Sequence, residues 1–293
     1  MLRVGTSGWT YPSWRGPFYP DSLPRRLELA HASRIFNTLE INASFYSLRT
    51  PGTYHTWFDA TPSDFLFAVK GGRYVTHMKR LKDVRVPLAN YYASGILRLA
   101  HKTGPFLWQL PANVPYDADV LEAFLALLPR SMHEAASLAR HHDARLEGRA
   151  YLTPEIDAPL RHALEVRHYS FLTPDFPRQL RRHGVALVVA DAAGLYPLVE
   201  EVTADFVYVR LHGSQSLYSS PYSPAELEDW AARVTAWHAG TEPEHARRLT
   251  NDVLPAAPRD VYVYFDNDVN AYAPRDAHAL ARCLGLPVPA TPD

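Results

Sequence analysis

Eight short apolar runs, bounded by polar or turn-forming residues, recur along the chain and leave room for helices between them. They cover Leu2–Thr6, Thr38–Asn42, Phe65–Lys70, Phe106–Leu110, His162–Arg167, Val185–Ala190, Phe206–Leu211 and Val261–Phe265. Between them lie amphipathic stretches such as "PRRLELAHASRIF", "DADVLEAFLALLP", "SPAELEDWAARVTAWHA" and "APRDAHALARCLG". Each carries Pro, Asp or Ser near its start, as helix entries do. Strand–helix alternation predicts an α/β fold with a parallel sheet covered by helices. Eight such strands in 293 residues fit a single (β/α)8 TIM barrel. A doubly wound open sheet is the competing architecture. It lacks support from a dinucleotide fingerprint, because "GTSGW" after the first run does not have the GxGxxG spacing.

The barrel is expected to occupy residues 1–285 as one domain, followed by a short Pro-rich tail at 286–293. The longest interval between runs, 111–161, holds a helix at 117–128, a second helical pattern near 133–142 and the irregular "HDARLEGRAYLTPEIDAP". This reads as elaboration between strands four and five. A long loop rich in Pro and aromatics follows the first strand at residues 9–23.

A formal net charge of -1 leaves no global basic field for nucleic acid or an anionic membrane. No apolar stretch approaches the ~18–20 residues that cross a bilayer. No apolar leader precedes the first strand, and the single cysteine, Cys283, has no partner for an internal disulfide. The expected location is the cytoplasm, with no membrane partner.

Catalytic residues of a TIM barrel sit at the C-terminal ends of its strands, and the polar residues of this chain gather there. The second strand ends with Glu40 and Asn42 on one face, the third with Lys70, the fourth with Gln109. The fifth ends with Glu165 and Arg167 on one face, the sixth with Asp191. Tyr208, Arg210 and His212 share a face at the end of the seventh; Tyr262, Tyr264, Asp266 and Asp268 share one at the end of the eighth. Asp266, Asn267 and Asp268 in succession also suit a turn, since short polar side chains cap nearby backbone groups. Seven strands with polar tips at one end favour a site.

Lys70, Arg167 and Arg210 form a surface suited to a small anion, phosphate or sulfate, with the Arg forks able to bind it bidentately. Glu40, Glu165, His212, Asp266 and Asp268 are the candidate acids and bases. A second reading has these charges neutralise one another as a structural network. A third gathers a divalent metal on Glu40, Glu165, Asp191, His212 and Asp266; the sequence demands no cofactor. Trp9, Tyr11, Trp14, Phe18 and Tyr19 in the first loop, Phe45 and Tyr46 after the second strand, and Tyr218 and Tyr222 after the seventh suggest a stacking wall for a sugar or base. No GxSxG elbow, GxxxxGK[ST] loop or HExxH pair occurs.

Taken in order, "GTSGW", "YPSWRGPFYP", "LEINASFY", "FLFAVKGGRYVTH", "GPFLWQLP", "LEVRHYSF", "VYVRLHG" and "VYVYFDNDVNAYAPRDA" resemble the YecE-like barrels, domain of unknown function 72. The resemblance spans about residue 3 to about 284 and implies a TIM barrel with its motif polar residues at one end. Carried over position by position, it takes in Trp9, Tyr46 and Asn267 among the residues named above and adds His77, Ser170 and Gly213. It supplies no reaction. The expectation is an enzyme of acid/base chemistry on an anionic or phosphorylated small molecule. The alternatives are a metal-dependent phosphodiesterase or nucleic-acid-binding barrel resembling repair endonucleases, and a non-catalytic ligand-binding barrel.

Overall fold

The computed structural model describes residues 1–287; the Pro-rich tail expected at 286–293 lies mostly outside the described residues. Eight parallel strands close into a barrel in the order β1 to β8. They are β1 Leu2–Ser7, β2 Thr38–Ile41, β3 Leu66–Lys70, β4 Thr103–Gln109, β5 His162–Glu165, β6 Ala186–Asp191, β7 Phe206–Leu211 and β8 Asp260–Phe265. The helices are α1 Glu28–Ile35, α2 Ala43–Tyr46, α3 Pro51–Asp59, α4 Arg85–Ala93, α5 Ala118–Leu125, α6 Met132–Ala139, α7 Asp175–Arg182, α8 Pro224–His238 and α9 Tyr272–Cys283. The TIM-barrel reading of the sequence therefore holds. The connection between β6 and β7 carries no α-helix. Among the described residues no helix is long and apolar enough to cross a membrane.

Within the closed sheet the chain forms two compact units. One comprises residues 1–40 with the chain from residue 172 onward, the other residues 41–171.

In the first unit, β1 pairs with β8 over Leu2↔Val261 to Thr6↔Phe265 and with β2 over Gly5↔Thr38 to Ser7↔Glu40. β7 pairs with β8 from Phe206↔Asp260 to Leu211↔Phe265 and with β6 from Val188↔Tyr208 to Asp191↔Leu211. Every residue of β7 is buried, which is the condition of a parallel strand covered on both faces. Inward positions hold a polar layer: Tyr208 and Tyr264 rings lie 5.0 Å apart, and the Tyr264 hydroxyl is 2.8 Å from Thr38 Oγ1. α8 opens with a capping box in which Ser223 and Glu226 satisfy each other's backbone N–H.

In the second unit, β4 pairs with β3 and with β5, bringing Lys70 opposite Leu107 and Gln109 opposite Glu165. The apolar pattern places the start of β4 after Pro105; the strand in fact begins at Thr103. Pro cannot donate to a ladder, and the β3–β4 register shifts between Phe67 and Val69, where the chain accommodates it. β5 stops at Glu165 rather than Arg167, although Leu110 N–H still donates to Glu165 O at 2.9 Å. The interval 111–161 contains α5 and α6, capped by Asp117 and Ser131 side chains.

Candidate functional site

The first unit brings four of the candidate residues into one network. Period-two alternation puts Tyr208, Arg210 and the following His212 on one side of β7, and Asp266 and Asp268 continue the same side beyond β8. Arg210 is fully buried. Its Nη2 donates to Asp266 Oδ2 at 2.7 Å, to Glu40 Oε1 at 3.0 Å and to Ser7 Oγ at 3.0 Å, and its Nε to Glu40 Oε2 at 3.2 Å. Glu40, also fully buried, accepts a further bond from the Tyr208 hydroxyl at 2.6 Å. A buried carboxylate persists only with such partners.

His212 is buried with Nδ1 2.9 Å from Asp266 Oδ2 and Nε2 3.4 Å from Arg210 Nη1. A guanidinium can only donate, so Nε2 is the acceptor towards Arg210. Nδ1 lies close to Asp266 without hydrogen-bond geometry, so His212 packs beside that carboxylate. Tyr218 packs edge-on against the imidazole at 5.4 Å. Gly213, at φ 116°, turns the chain away immediately afterwards; a Cβ there would lie 2.5 Å from Ser216 O.

Asp268 lives differently. Its Oδ1 is buried and accepts no hydrogen bond. Burial, then the neighbouring Asp266 carboxylate and, more weakly, Glu40, push its carboxyl up to about 8, against opposing contributions from the Tyr11 hydroxyl and Arg210. The first loop fixes its backbone: Ser13 Oγ and Trp14 Nε1 donate to Asp268 O at 3.1 and 3.3 Å. Asn270 and Ala271 follow with φ of 57° and 55°. Two successive non-glycine residues in the left-handed region are costly, and such strain concentrates at functional sites.

Several sequence expectations need correction here. Arg210 does not offer an open fork to an anion, because two carboxylates surround it. Asn267 is buried, with Nδ2 donating to Ser220 O at 3.0 Å and Asp276 Oδ2 at 2.8 Å, so it ties β8 to the preceding loop and to α9. Most of the first-loop aromatics build a local core in place of a stacking wall. Trp14 and Tyr19 are fully buried, and Phe18 packs on His31 and Phe36. Trp9, half-buried, serves through its carbonyl, which accepts from Tyr19 Oη at 2.6 Å. Asp191 accepts from Tyr222 Oη at 3.0 Å, and burial raises its carboxyl. Ser7 and Tyr208 also belong to the network. The sequence reading places Tyr208 on the shared face of β7 without a role and does not single out Ser7, the last residue of β1.

The second unit holds the remaining candidates, at the ends of β3, β4 and β5. Glu165 is fully buried; Gln109 Nε2 donates to both its oxygens at 2.9 Å and Arg167 Nε to Oε1 at 2.7 Å. Lys70 Nζ stands 4.7 Å from the Phe45 ring centroid, and His77 packs edge-on to that ring at 5.0 Å. His77 rides on a π-helical turn, Tyr74–Met78, a widened turn frequent at functional sites. Gly71 precedes it. Its N–H donates to Leu107 O at 2.8 Å, and a Cβ there would lie 2.2 Å from the Trp108 ring. Asn42 is the residue before α2, and Tyr46 at the end of α2 is exposed. Ser170 Oγ accepts from Tyr116 N–H at 2.7 Å, which is a loop-fixing contact.

The five residues read as metal ligands form no metal-holding cluster among the described residues. Among the described residues no group of three or more His, Cys, Asp or Glu side chains stands at metal-binding separation. Glu40 and Asp266 face a guanidinium, Asp191 a phenol, and Glu165 an amide and a guanidinium. These donor sets are filled by protein groups.

Known proteins match this chain over most or all of its length. A family described as "Protein of unknown function DUF72" matches residues 3–293. The UPF0759 protein YecE of Escherichia coli K12 is 26% identical over 253 residues, covering 83% of this chain and 84% of that protein. The UPF0759 protein YunF of Bacillus subtilis is 23% identical, covering 98% and 95%. The fold agrees with the crystal structure of a DUF72 family protein from Thermotoga maritima, at a TM-score of 0.73 and 24% identity over 97% of this chain and 99% of that one. A DUF72 family protein from Enterococcus faecalis superposes at a TM-score of 0.67 with 14% identity, over 100% of this chain and 98% of that one. The family match from end to end shows that this chain belongs to DUF72, a family of TIM barrels whose function is not established.

Proposed function

We propose that this protein is an enzyme of proton-transfer chemistry, working at the C-terminal ends of β1, β2, β7 and β8. Asp268 is the proton donor and Asp266 the base. The observation that carries the reading is the split between two carboxyls two residues apart. Asp266 accepts from Arg210 at 2.7 Å and lies 2.9 Å from His212. Asp268 has a buried Oδ1 without a partner and is pushed up to about 8. Paired acids driven apart by their surroundings supply one protonated and one ionised group at the same pH. Glu40 and Ser7 hold Arg210, Tyr208 holds Glu40, and His212 stands beside Asp266. The reaction class is acid/base chemistry on a small polar molecule: hydrolysis, elimination or isomerisation.

The test has two parts. Carbon-13 NMR of the Asp268 carboxyl should give a titration far above the ordinary carboxylate range. Incubation in heavy water with a panel of hydroxy acids, keto acids, lactones and sugar phosphates should reveal turnover or solvent-deuterium incorporation. Asp268→Asn should reduce that rate by at least about a hundredfold, as loss of a general acid does. An ordinary Asp268 titration, or undiminished turnover by the Asn variant, overturns the assignment.

A further inference from the structure

The second unit carries a different chemistry. Lys70 and His77 both meet the Phe45 ring, at 4.7 and 5.0 Å. Arg167 is fixed by its Nε on Glu165 at 2.7 Å. Burial first, then the cations Lys70, Arg167 and Arg73 lower the proton affinity of His77, against a smaller opposing pull from Glu165. Thr76 Oγ1 lies 2.9 Å from His77 Nδ1. A Thr76 hydroxyl donating there leaves the ring proton on Nε2, as an N–H donor. Lys70, Arg73 and Arg167 all act on this imidazole, and ammonium and guanidinium donors are the groups that take phosphoryl oxygens.

Phe45 and Arg73 also line a cavity of about 190 Å³, together with Tyr46, Leu48, Tyr74 and Tyr91. A cavity of about 150 Å³ is enough to admit benzene, so a single ring fits. Lys70 is placed by its own backbone: Ser44 Oγ and Tyr91 Oη both donate to its carbonyl, at 2.7 and 3.1 Å.

We propose that this part of the second unit binds a phosphate monoester borne on a single ring. Lys70, Arg73, Arg167 and His77 take the phosphoryl oxygens, and the ring enters the cavity against Phe45. The assignment does not depend on Asp268.

Titration calorimetry and phosphorus NMR with phenyl phosphate, inorganic phosphate, benzoate and phenol test it on the full chain. Phenyl phosphate should bind about tenfold more tightly than inorganic phosphate, a difference of about 1.4 kcal/mol. Phenol should show no binding. Lys70→Gln and Arg73→Gln should each weaken phenyl phosphate about tenfold; Arg73 is exposed, so its variant keeps the fold. Phe45→Leu should weaken phenyl phosphate and leave inorganic phosphate unchanged. Benzoate binding as tightly as phenyl phosphate overturns the phosphate assignment. Equal affinity for phenyl and inorganic phosphate overturns the ring. Unchanged binding by Arg73→Gln together with Lys70→Gln overturns the site.

Discussion

Asp266 and Asp268 stand two residues apart on one side of the chain beyond β8, yet only Asp266 meets the buried guanidinium of Arg210, at 2.7 Å. Asp268 Oδ1 has no hydrogen-bond partner at all. Raised to about 8 from an ordinary 3.8, Asp268 binds a proton in the folded state where the unfolded chain has released it. Linkage then fixes the sign. Its contribution to stability is full below about pH 4 and is lost as pH rises through about 8. Urea denaturation of the wild type should show a stability loss on the order of a few kcal/mol across that window. Asp268→Asn, which cannot ionise, should overtake the wild type on the alkaline side. A pH-independent difference between the two would contradict the assigned environment.

Arg210 pairs with two carboxylates at once, so the variants around it should be unequal. Arg210→Met leaves Glu40 and Asp266 together without their cation, and breaking a buried pair costs about 3–5 kcal/mol. Glu40→Gln leaves Arg210 paired with Asp266. Chemical denaturation should therefore rank Arg210→Met well below Glu40→Gln. The reverse order would mean that Glu40, and not Arg210, is the centre of the network.

Much of this geometry was legible in the sequence. Alternation along β7 and β8 places Arg210, His212, Asp266 and Asp268 on common faces, because a period of two is a backbone property. It does not say which neighbours across strands pair. The sequence therefore left Arg210 available to an anion, whereas Glu40 and Asp266 occupy it. Asn267 faces the other way along the same period, and its buried bonds to Ser220 and Asp276 follow from that. Trp14 and Tyr19 resisted reading because an aromatic-rich loop looks the same whether it folds on itself or lines a pocket. The π-helical turn that carries His77 leaves no pattern in composition; it depends on Gly72 accepting from Val75 and on Lys79 N–H reaching back to Tyr74 O at 2.9 Å.

Gly71 offers a test of packing in the second unit. A Cβ at this position would lie 2.2 Å from the Trp108 ring, and Trp108 is fully buried. Gly71→Ala should cost about 1–3 kcal/mol through overpacking, read as a lower melting temperature with a shifted tryptophan emission. Gly52, near the start of α3, meets nothing closer than Thr50 Oγ1 at 3.9 Å. Gly52→Ala should be neutral or stabilising by up to about 1 kcal/mol, since Ala loses less backbone entropy in a helix.

His162 gives the second unit its own acid sensitivity. Its Nε2 lies 2.7 Å from Pro129 O, which can only accept, so that nitrogen carries the proton. Its Nδ1 lies 3.3 Å from Trp108 Nε1, which can only donate, so that nitrogen must stay bare. Both partners therefore demand the neutral ring, and complete burial, opposed by the Pro129 carbonyl and aided by Arg130, lowers the imidazole to about 4 from 6.5. Here the unfolded chain binds the extra proton, so stability falls as the pH drops from about 6.5 to about 4. The loss should be about 3 kcal/mol, at 1.36 kcal/mol per pH unit of displacement. His162→Gln, which has no proton to gain, should be less stable near neutrality but should lose less on acidification. Urea denaturation of both proteins across this range measures the two slopes. Parallel slopes would show that the imidazole takes up its proton in the folded state without disturbing Trp108 or Pro129.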